Sequence, residues 1–177
     1  MKKWKKISSE ILHRNPWWIY KHDKVKLPNG KDGDYYYVHV EGGCLTIPVL
    51  NDGRIVLVKQ HRYLMGRDSI EFPNGQRTEG QTYEEGAKKE LEEETGYRAG
   101  KLEFIGEYSP YNGISDEMTK VYLAKNLKKI KAYPDETEEF EILFKTPKEI
   151  DKMIEKGEIW DGQMIAAWLF AKKKLKI

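Results

Sequence analysis

The sequence predicts an α+β fold, with strands and helices packed about one core, on three observations. Two apolar runs, CLTIPVL from Cys44 and RIVLVKQ from Arg54, flank the turn Asn51-Asp52-Gly53. A later segment with helical spacing is framed by start and stop signals. The length of 177 residues suits one compact domain, or one domain with a small extension, and would be cramped for two. No internal repeat or low-complexity tract disturbs this pattern.

Taken in order, residues 1–42 are polar with scattered aromatics and read as a small N-terminal β extension, while residues 43–177 form the main domain. Within the extension, Tyr35 to Val40 has strand character and follows the turn signals Pro28-Asn29-Gly30 and Lys31-Asp32-Gly33. The two apolar runs read as strands joined in a tight hairpin, because Asp-Gly supplies the positive φ angles such a turn requires. A short strand from Ser69 to Phe72 leads into the turn Pro73-Asn74-Gly75 and a polar loop.

Thr82, three residues before Glu85, is a capping box and starts a helix over Tyr83 to Thr95. Gly96 stands where a left-handed cap ends it, and Tyr83, Ala87 and Leu91 supply a buried stripe. Further strands are predicted over Leu102 to Tyr108, Thr119 to Ala124 and Phe140 to Phe144. Thr146-Pro147-Lys148-Glu149 opens a second helix that ends by Gly157. Asp161 caps a third helix, whose apolar face is predicted at Ile165, Ala166, Leu169 and Phe170, with Lys172 to Lys174 suited to its C-terminus.

Composition narrows the function. The 31 basic residues nearly cancel the 29 acidic ones, so the net charge of +2 gives no field suited to a polyanion, and nucleic acid is not expected as a partner. No stretch approaches the roughly 18 apolar residues that would span a membrane. The start MKKWKKISSEILHR is basic without the apolar core of a signal peptide, and Cys44 is the single cysteine, so the cytoplasm is the expected location. Cys44 lies in an apolar run and reads as inert.

The chemistry concentrates in the first helix, whose last turns read Glu90-Leu91-Glu92-Glu93-Glu94. At 3.6 residues per turn, Glu90, Glu93 and Glu94 are neighbours on one face. They crowd toward a helix C-terminus, where the macrodipole disfavours each anion by about 0.3–1 kcal/mol and like-charge pairs add about 0.2–0.5 kcal/mol. A hard divalent cation with oxygen ligands would compensate; the alternative is a solvated charged face with Lys88 and Lys89 as its partners.

The segment GQRTEGQTYEEGAKKELEEETGY, Gly75 to Tyr97, resembles the signature box of the Nudix hydrolases. Gly75, Glu90, Leu91, Glu93, Glu94 and Gly96 fall in register with that box, whereas Gln81 replaces its first glutamate and Lys89 its arginine. Lysine keeps the charge and loses the planar fork. Flanking stretches are similar to the ADP-ribose pyrophosphatase branch: Val58 to Tyr63, Glu71 to Gly75, Tyr108 to Glu117, and Gly157 to Asp161.

The resemblance implies an α/β/α sandwich with a mixed sheet and a hydrolase that uses Mg²⁺, with Mn²⁺ as a substitute. It places metals on Glu90, Glu93, Glu94 and the backbone carbonyl of Asn74, with Glu138 as a further ligand. It assigns catalysis to Glu93, Glu94 and a general base at Glu136, for which Glu139 is a rival, and substrate contacts to Arg62, Glu71 and Pro110. The implied reaction is water attack on a diphosphate, ADP-ribose giving AMP and ribose 5-phosphate. Another nucleoside diphosphate sugar, or nucleotide binding without turnover, is the alternative. The same resemblance implies a homodimer, in which Trp17, Trp18 and Tyr20 of the extension serve as packing or base-stacking surfaces.

Overall fold

The computed structural model describes residues 1–131 and 139–177. They divide into two units: Met1–Glu41 with Ser109–Met118, and Gly42–Tyr108 with Thr119–Ile177.

The first unit is built on an antiparallel meander of β1 (Lys5–Arg14), β2 (Ile19–Lys26) and β3 (Asp32–His39). Only the third strand is legible in the sequence, because the few apolar residues of β1 (Ile7, Ile11, Leu12) and β2 (Ile19, Tyr20, Val25) do not alternate with polar ones along either strand. β1 is exposed at all ten positions and is held by its backbone ladder rather than by burial. The second turn signal is corrected: Asp32 and Gly33 lie inside β3, opposite Lys26 and Val25. The turn closes one step earlier, with Leu27 N donating to Lys31 O at 2.8 Å and Gly30 at φ +85°. The 109–118 segment attaches to β3 through a parallel bridge between Val38 and Ser115 and a bond from Tyr35 Oη to Gly113 O of 2.8 Å.

The second unit begins with β4 (Gly43–Pro48) and β5 (Ile55–Arg62), followed by a 3₁₀ turn at Tyr63–Met65, β6 (Arg67–Glu71) and β7 (Asn74–Gln76). Then come α1 (Tyr83–Thr95), β8 (Tyr97–Arg98), β9 (Lys101–Tyr108), β10 (Thr119–Lys125), β11 (Lys128–Lys129), β12 (Glu141–Lys145), α2 (Pro147–Glu155) and α3 (Gly162–Leu175). A mixed sheet has the order β7-β4-β10-β9, with β4 and β10 parallel; an antiparallel sheet has the order β12-β5-β6; β11 and β8 form a short pair.

The predicted hairpin is therefore half right. The turn exists, with Gly53 at φ +85° and Gly53 N donating to Leu50 O at 3.0 Å. Its flanking strands pair only at the bridge between Val49 and Ile55 and then join different sheets. β4 is buried at all its positions and β5 over Ile55, Val56, Leu57 and Val58, the pattern of strands covered on two faces, and Pro48 brings no donor to extend a ladder.

Alternation along β4 builds the layers. Leu45 and Ile47 enter the main core with Ile55, Leu57, Phe72, Val121, Leu123, Met164 and Trp168, on the side covered by α2 and α3. Cys44 turns to the opposite face and packs against Ala87 of α1 and Tyr122, while Thr46 Oγ1 donates to Ala87 O at 3.1 Å. Burial pushes the Cys44 thiol up to about 11, in keeping with an inert residue. The result is helix, sheet and helix in succession, the sandwich expected. On α3 the buried stripe is Met164, Ala167, Trp168 and Ala171. Leu169 is exposed, and Ile165 and Phe170 pack at the margin of the core. Trp168 decides the helix's rotation: its ring fills the core and its Nε1 donates to Asp151 Oδ1 at 2.8 Å. Among the described residues no helix is long and apolar enough to cross a membrane.

Candidate active site

Local signals in the sequence set α1 in place. Thr82 Oγ1 accepts from Glu85 N at 3.2 Å and Glu85 Oε2 accepts from Thr82 N at 2.8 Å, closing the capping box. Gly96, at φ +68°, ends the helix by donating to Glu92 O at 3.1 Å. Ala87 and Leu91 are fully buried, which turns Glu90 and Glu94 inward as well.

The carboxylates then differ in setting. Glu94 is 4% exposed and the Glu90 side chain 16%. Glu90 lies so close to the backbone of β7 that a Cβ on Gly75 would sit 2.3 Å from its Cδ. Gly75 is thus a cradle for a carboxylate, which explains why a glycine stands fifteen residues before it in the sequence. Glu93 is partly exposed and pairs with Lys89, whose Nζ is 2.7 Å from Glu93 Oε2 and 3.9 Å from Glu90 Oε1. Glu92 points elsewhere and is held by both arms of Arg98, at 2.8 and 2.9 Å.

Beside this helix, Arg62 at the end of β5 grips Glu71 at the end of β6. Its Nε donates to Glu71 Oε1 at 2.8 Å and its Nη2 to Glu71 Oε2. In the antiparallel β5–β6 ladder Arg62 faces Arg67 and Glu71 faces Val58, four steps away, so the pair is closed by the length of the arginine side chain reaching back along the hairpin. Glu71 is 2% exposed; burial alone would raise its carboxyl, and the Arg62 fork with help from Asn74 outweighs that and holds it below the usual glutamate value. Asn74, in β7 opposite Leu45, donates its amide to Phe72 O at 3.0 Å and to Glu71 Oε2 at 3.3 Å.

Sequence reasoning placed Asp161 only as a helix cap, and Met164 N does donate to its Oδ1 at 2.7 Å. Asp161 is also a third charge beside the Arg62–Glu71 pair. Burial raises its carboxyl, Met164 N opposes that, and Glu71 adds to the rise. No spacing in the sequence marks it, since β6 and α3 are ninety residues apart in the chain. Arg77 was missed as well: its guanidinium lies over the Tyr83 ring at 5.1 Å and donates to Gln81 O at 3.0 Å. Gln81, the departure from the box, uses its side-chain oxygen to accept from Thr78 N at 3.1 Å and so braces the loop ahead of α1.

Glu90, Glu93, Glu94, Asn74, Arg62 and Glu71 therefore all lie in the second unit, on α1, β7 and the ends of β5 and β6. Pro110 belongs to the first unit, in the segment that joins β3. Glu136 and Glu138 lie outside the described residues, and Glu139 is exposed. Among the described residues no three or more His, Cys, Asp or Glu side chains are already converged on a metal position. The donors nevertheless fit a hard divalent cation: all are carboxylate oxygens on one helix face, and Gly75 leaves Glu90 room against the backbone of β7.

An acidic helix against a mixed sheet, with an arginine–glutamate pair at its flank, is an arrangement suited to hold a divalent ion beside an anionic substrate. A NUDIX domain model matches residues 43–168, and the chain belongs to the Nudix family. It is a Nudix pyrophosphohydrolase related to the ADP-ribose pyrophosphatases. A second model, described as a nucleoside diphosphate sugar hydrolase N-terminal domain, matches residues 4–38. The chain is 36% identical over 143 residues to an ADP-ribose pyrophosphatase of Bacillus subtilis, covering 80% of this chain and 77% of that one. It is 32% identical over 147 residues to a methanol dehydrogenase activator of Bacillus methanolicus, covering 82% and 80%. A crystal structure of an ADP compounds hydrolase superposes with a TM-score of 0.85 at 18% identity, over 99% of this chain and 96% of that one, and bears out the fold.

Proposed function

We propose that the chain hydrolyses ADP-ribose to AMP and ribose 5-phosphate, with Mg²⁺ as the cofactor and Mn²⁺ as a substitute. The observation that carries this reading is the packing of Glu90 against Gly75, with Glu93 and Glu94 on the same helix face. Glu90, Glu93, Glu94 and the Asn74 carbonyl would hold the cation. When bound, the cation supplies charge neutralisation at the diphosphate and a more acidic water. The protein's own residues do the rest. Arg62, kept charged and oriented by Glu71, offers donors to the anionic substrate, and Pro110 shapes the sugar side of the pocket. Glu136 takes the proton of the attacking water as the new P–O bond forms and the bridging P–O bond breaks. Glu138 adds a further ligand, and Glu139 is the rival base.

Support for ADP-ribose comes from the 36% identity to an enzyme of that name. A second reading, another nucleoside diphosphate sugar, is favoured by the family model over residues 4–38. Purified chain offered ADP-ribose, GDP-mannose, UDP-glucose and dinucleoside polyphosphates with Mg²⁺ or Mn²⁺ separates the two; ADP-ribose should give the highest kcat/KM. Glu93→Gln or Glu94→Gln should lower turnover by orders of magnitude with the circular dichroism spectrum unchanged. Undiminished turnover in both variants would sink the site assignment. We also place the protein in the cytoplasm as a homodimer joined through residues 1–42, with residues 43–177 as the catalytic domain and neither nucleic acid nor membrane as a partner.

A further inference from the structure

His22 stands on the middle strand of the N-terminal sheet with a carboxylate at each ring nitrogen. Nδ1 is 2.7 Å from Glu10 Oε1 on β1, and Nε2 is 2.7 Å from Asp34 Oδ1 on β3. The ring stacks on Tyr36, with centroids 4.4 Å apart and planes 10° from parallel. The residue is 7% exposed, whereas both carboxylates reach solvent. An ionised carboxylate only accepts, and a neutral imidazole has one N–H; both short contacts are hydrogen bonds only if the ring carries two protons.

We propose that His22 is a proton-operated clasp: as the imidazolium it ties β1 and β3 to β2, and on losing a proton it releases β1. Glu10 and Asp34 outweigh the burial that opposes charging and hold the imidazole above its ordinary value of 6.5. The other charged or titratable groups on this face of the sheet are Lys24, in register with Asp34, the pair of Lys26 with Asp32, and, on β1, Lys5 opposite Lys26 and His13 opposite Tyr20. Tyr20 and Tyr36 cover the ring side, with centroids 6.2 Å apart. On the opposite face, Lys6 of β1 pairs with Asp23 of β2 at 3.8 Å.

Within one chain, and beyond the backbone ladder to β2, β1 is the strand with least else to hold it, so it is the one that lets go. All ten of its residues are exposed, and its other ion pair to β2 is the long Lys6–Asp23 contact. β3 keeps further anchors in Val38, bridged to Ser115, and in Tyr35, bonded to Gly113. A histidine raised in the folded state contributes stability that is whole below 6.5 and is lost as pH rises through the folded value. Over that window one proton changes the opening constant by up to about tenfold per pH unit.

Nitrogen-detected NMR of the full-length chain tests this directly. Both His22 ring nitrogens should be protonated at mildly acidic pH, with a midpoint above 6.5, and residue-resolved detection separates them from His39, which is bonded to Asp116 at 2.8 Å. Amide exchange in β1, corrected for its intrinsic pH dependence, should open with the same midpoint, while α1 amides show no such rise. Glu10→Gln should lower the midpoint and shift the β1 opening to lower pH. A ring with one protonated nitrogen at mildly acidic pH, a midpoint at or below 6.5, or β1 protection that ignores pH would each overturn the clasp; if the variant fails to fold, the wild-type titration decides alone.

Discussion

At the scale of single residues, the pair of Arg62 and Glu71 has the clearest energetic consequence. Glu71 is almost wholly buried while the arginine reaches solvent, so removing the arginine strands a buried charge rather than deleting a surface bridge. Arg62→Met should therefore destabilise the protein by about 1–3 kcal/mol, and adding Glu71→Gln should restore part of that loss. The pH dependence has a definite sign. A glutamate whose carboxyl is lowered in the folded state contributes stability above its unfolded value of about 4.3 that is lost as pH falls through the folded value. Asp161, raised by burial, works in the opposite direction and offsets part of the loss. Thermal unfolding followed from pH 6 down to pH 3 should fall more steeply for the wild type than for the double variant. Parallel curves would mean that Glu71 is not ionised in the folded protein.

Among the elements, α1 was almost fully legible in the sequence, and the reason is local. A capping box, an apolar stripe and a glycine cap act within the helix itself; the caps are found where expected, and of the stripe Ala87 and Leu91 are buried while Tyr83 is half-buried at its edge. Its partners were less legible. The ends of β5 and β6, the Gly75 cradle and Asp161 meet through sheet pairing and helix docking between segments far apart in sequence. The same limit produced the wrong pairing of β4 with β5, since a tight turn specifies a reversal of direction and leaves the ladder to burial on both faces. Two glycines separate packing from chemistry. On Gly75, the atoms nearest a Cβ belong to the flexible end of Glu90, so Gly75→Ala should cost under about 1 kcal/mol yet displace the carboxylate, cutting divalent-ion affinity and turnover at least tenfold. On Gly86, a Cβ would sit 2.7 Å from Cys44 Sγ in the core. Gly86→Ala should cost about 1–2 kcal/mol after a roughly 1 kcal/mol gain in helix propensity, and should leave ion affinity alone. Calorimetric titration with Mn²⁺ and thermal melts of both variants check the contrast; equal losses of affinity would remove Gly75's special role.

On the scale of the whole molecule, the N-terminal sheet poses a problem that a solitary chain does not solve. β1 is an edge strand with both faces open, and Ile7, Ile11 and Leu12 on it are exposed along with Trp4 and Trp17 nearby. Long exposed edges with apolar side chains attract a further strand or surface, and soluble chains usually blunt them. Lys5 and Lys6 at its start and Arg14 at its end leave the apolar Ile7, Ile11 and Leu12 between them uncovered. Specific association buries about 800 Å² per partner, an area that the open face and edge of one such sheet can supply. A second copy covering this face is the economical solution, and it fits the proposal that residues 1–42 join a homodimer. Sedimentation equilibrium should then give twice the chain mass at micromolar concentration, and Ile7→Lys combined with Ile11→Lys should shift the population to monomer without lowering the melting temperature of the second unit. The same variant separates assembly from chemistry: if the partner's strand completes the substrate pocket, KM for ADP-ribose rises as the dimer dissociates, whereas Mn²⁺ affinity, which the proposed site on α1 confines to one chain, stays as it was. A wild-type chain that remains monomeric throughout would leave β1 as an uncovered edge and remove assembly from the account of function.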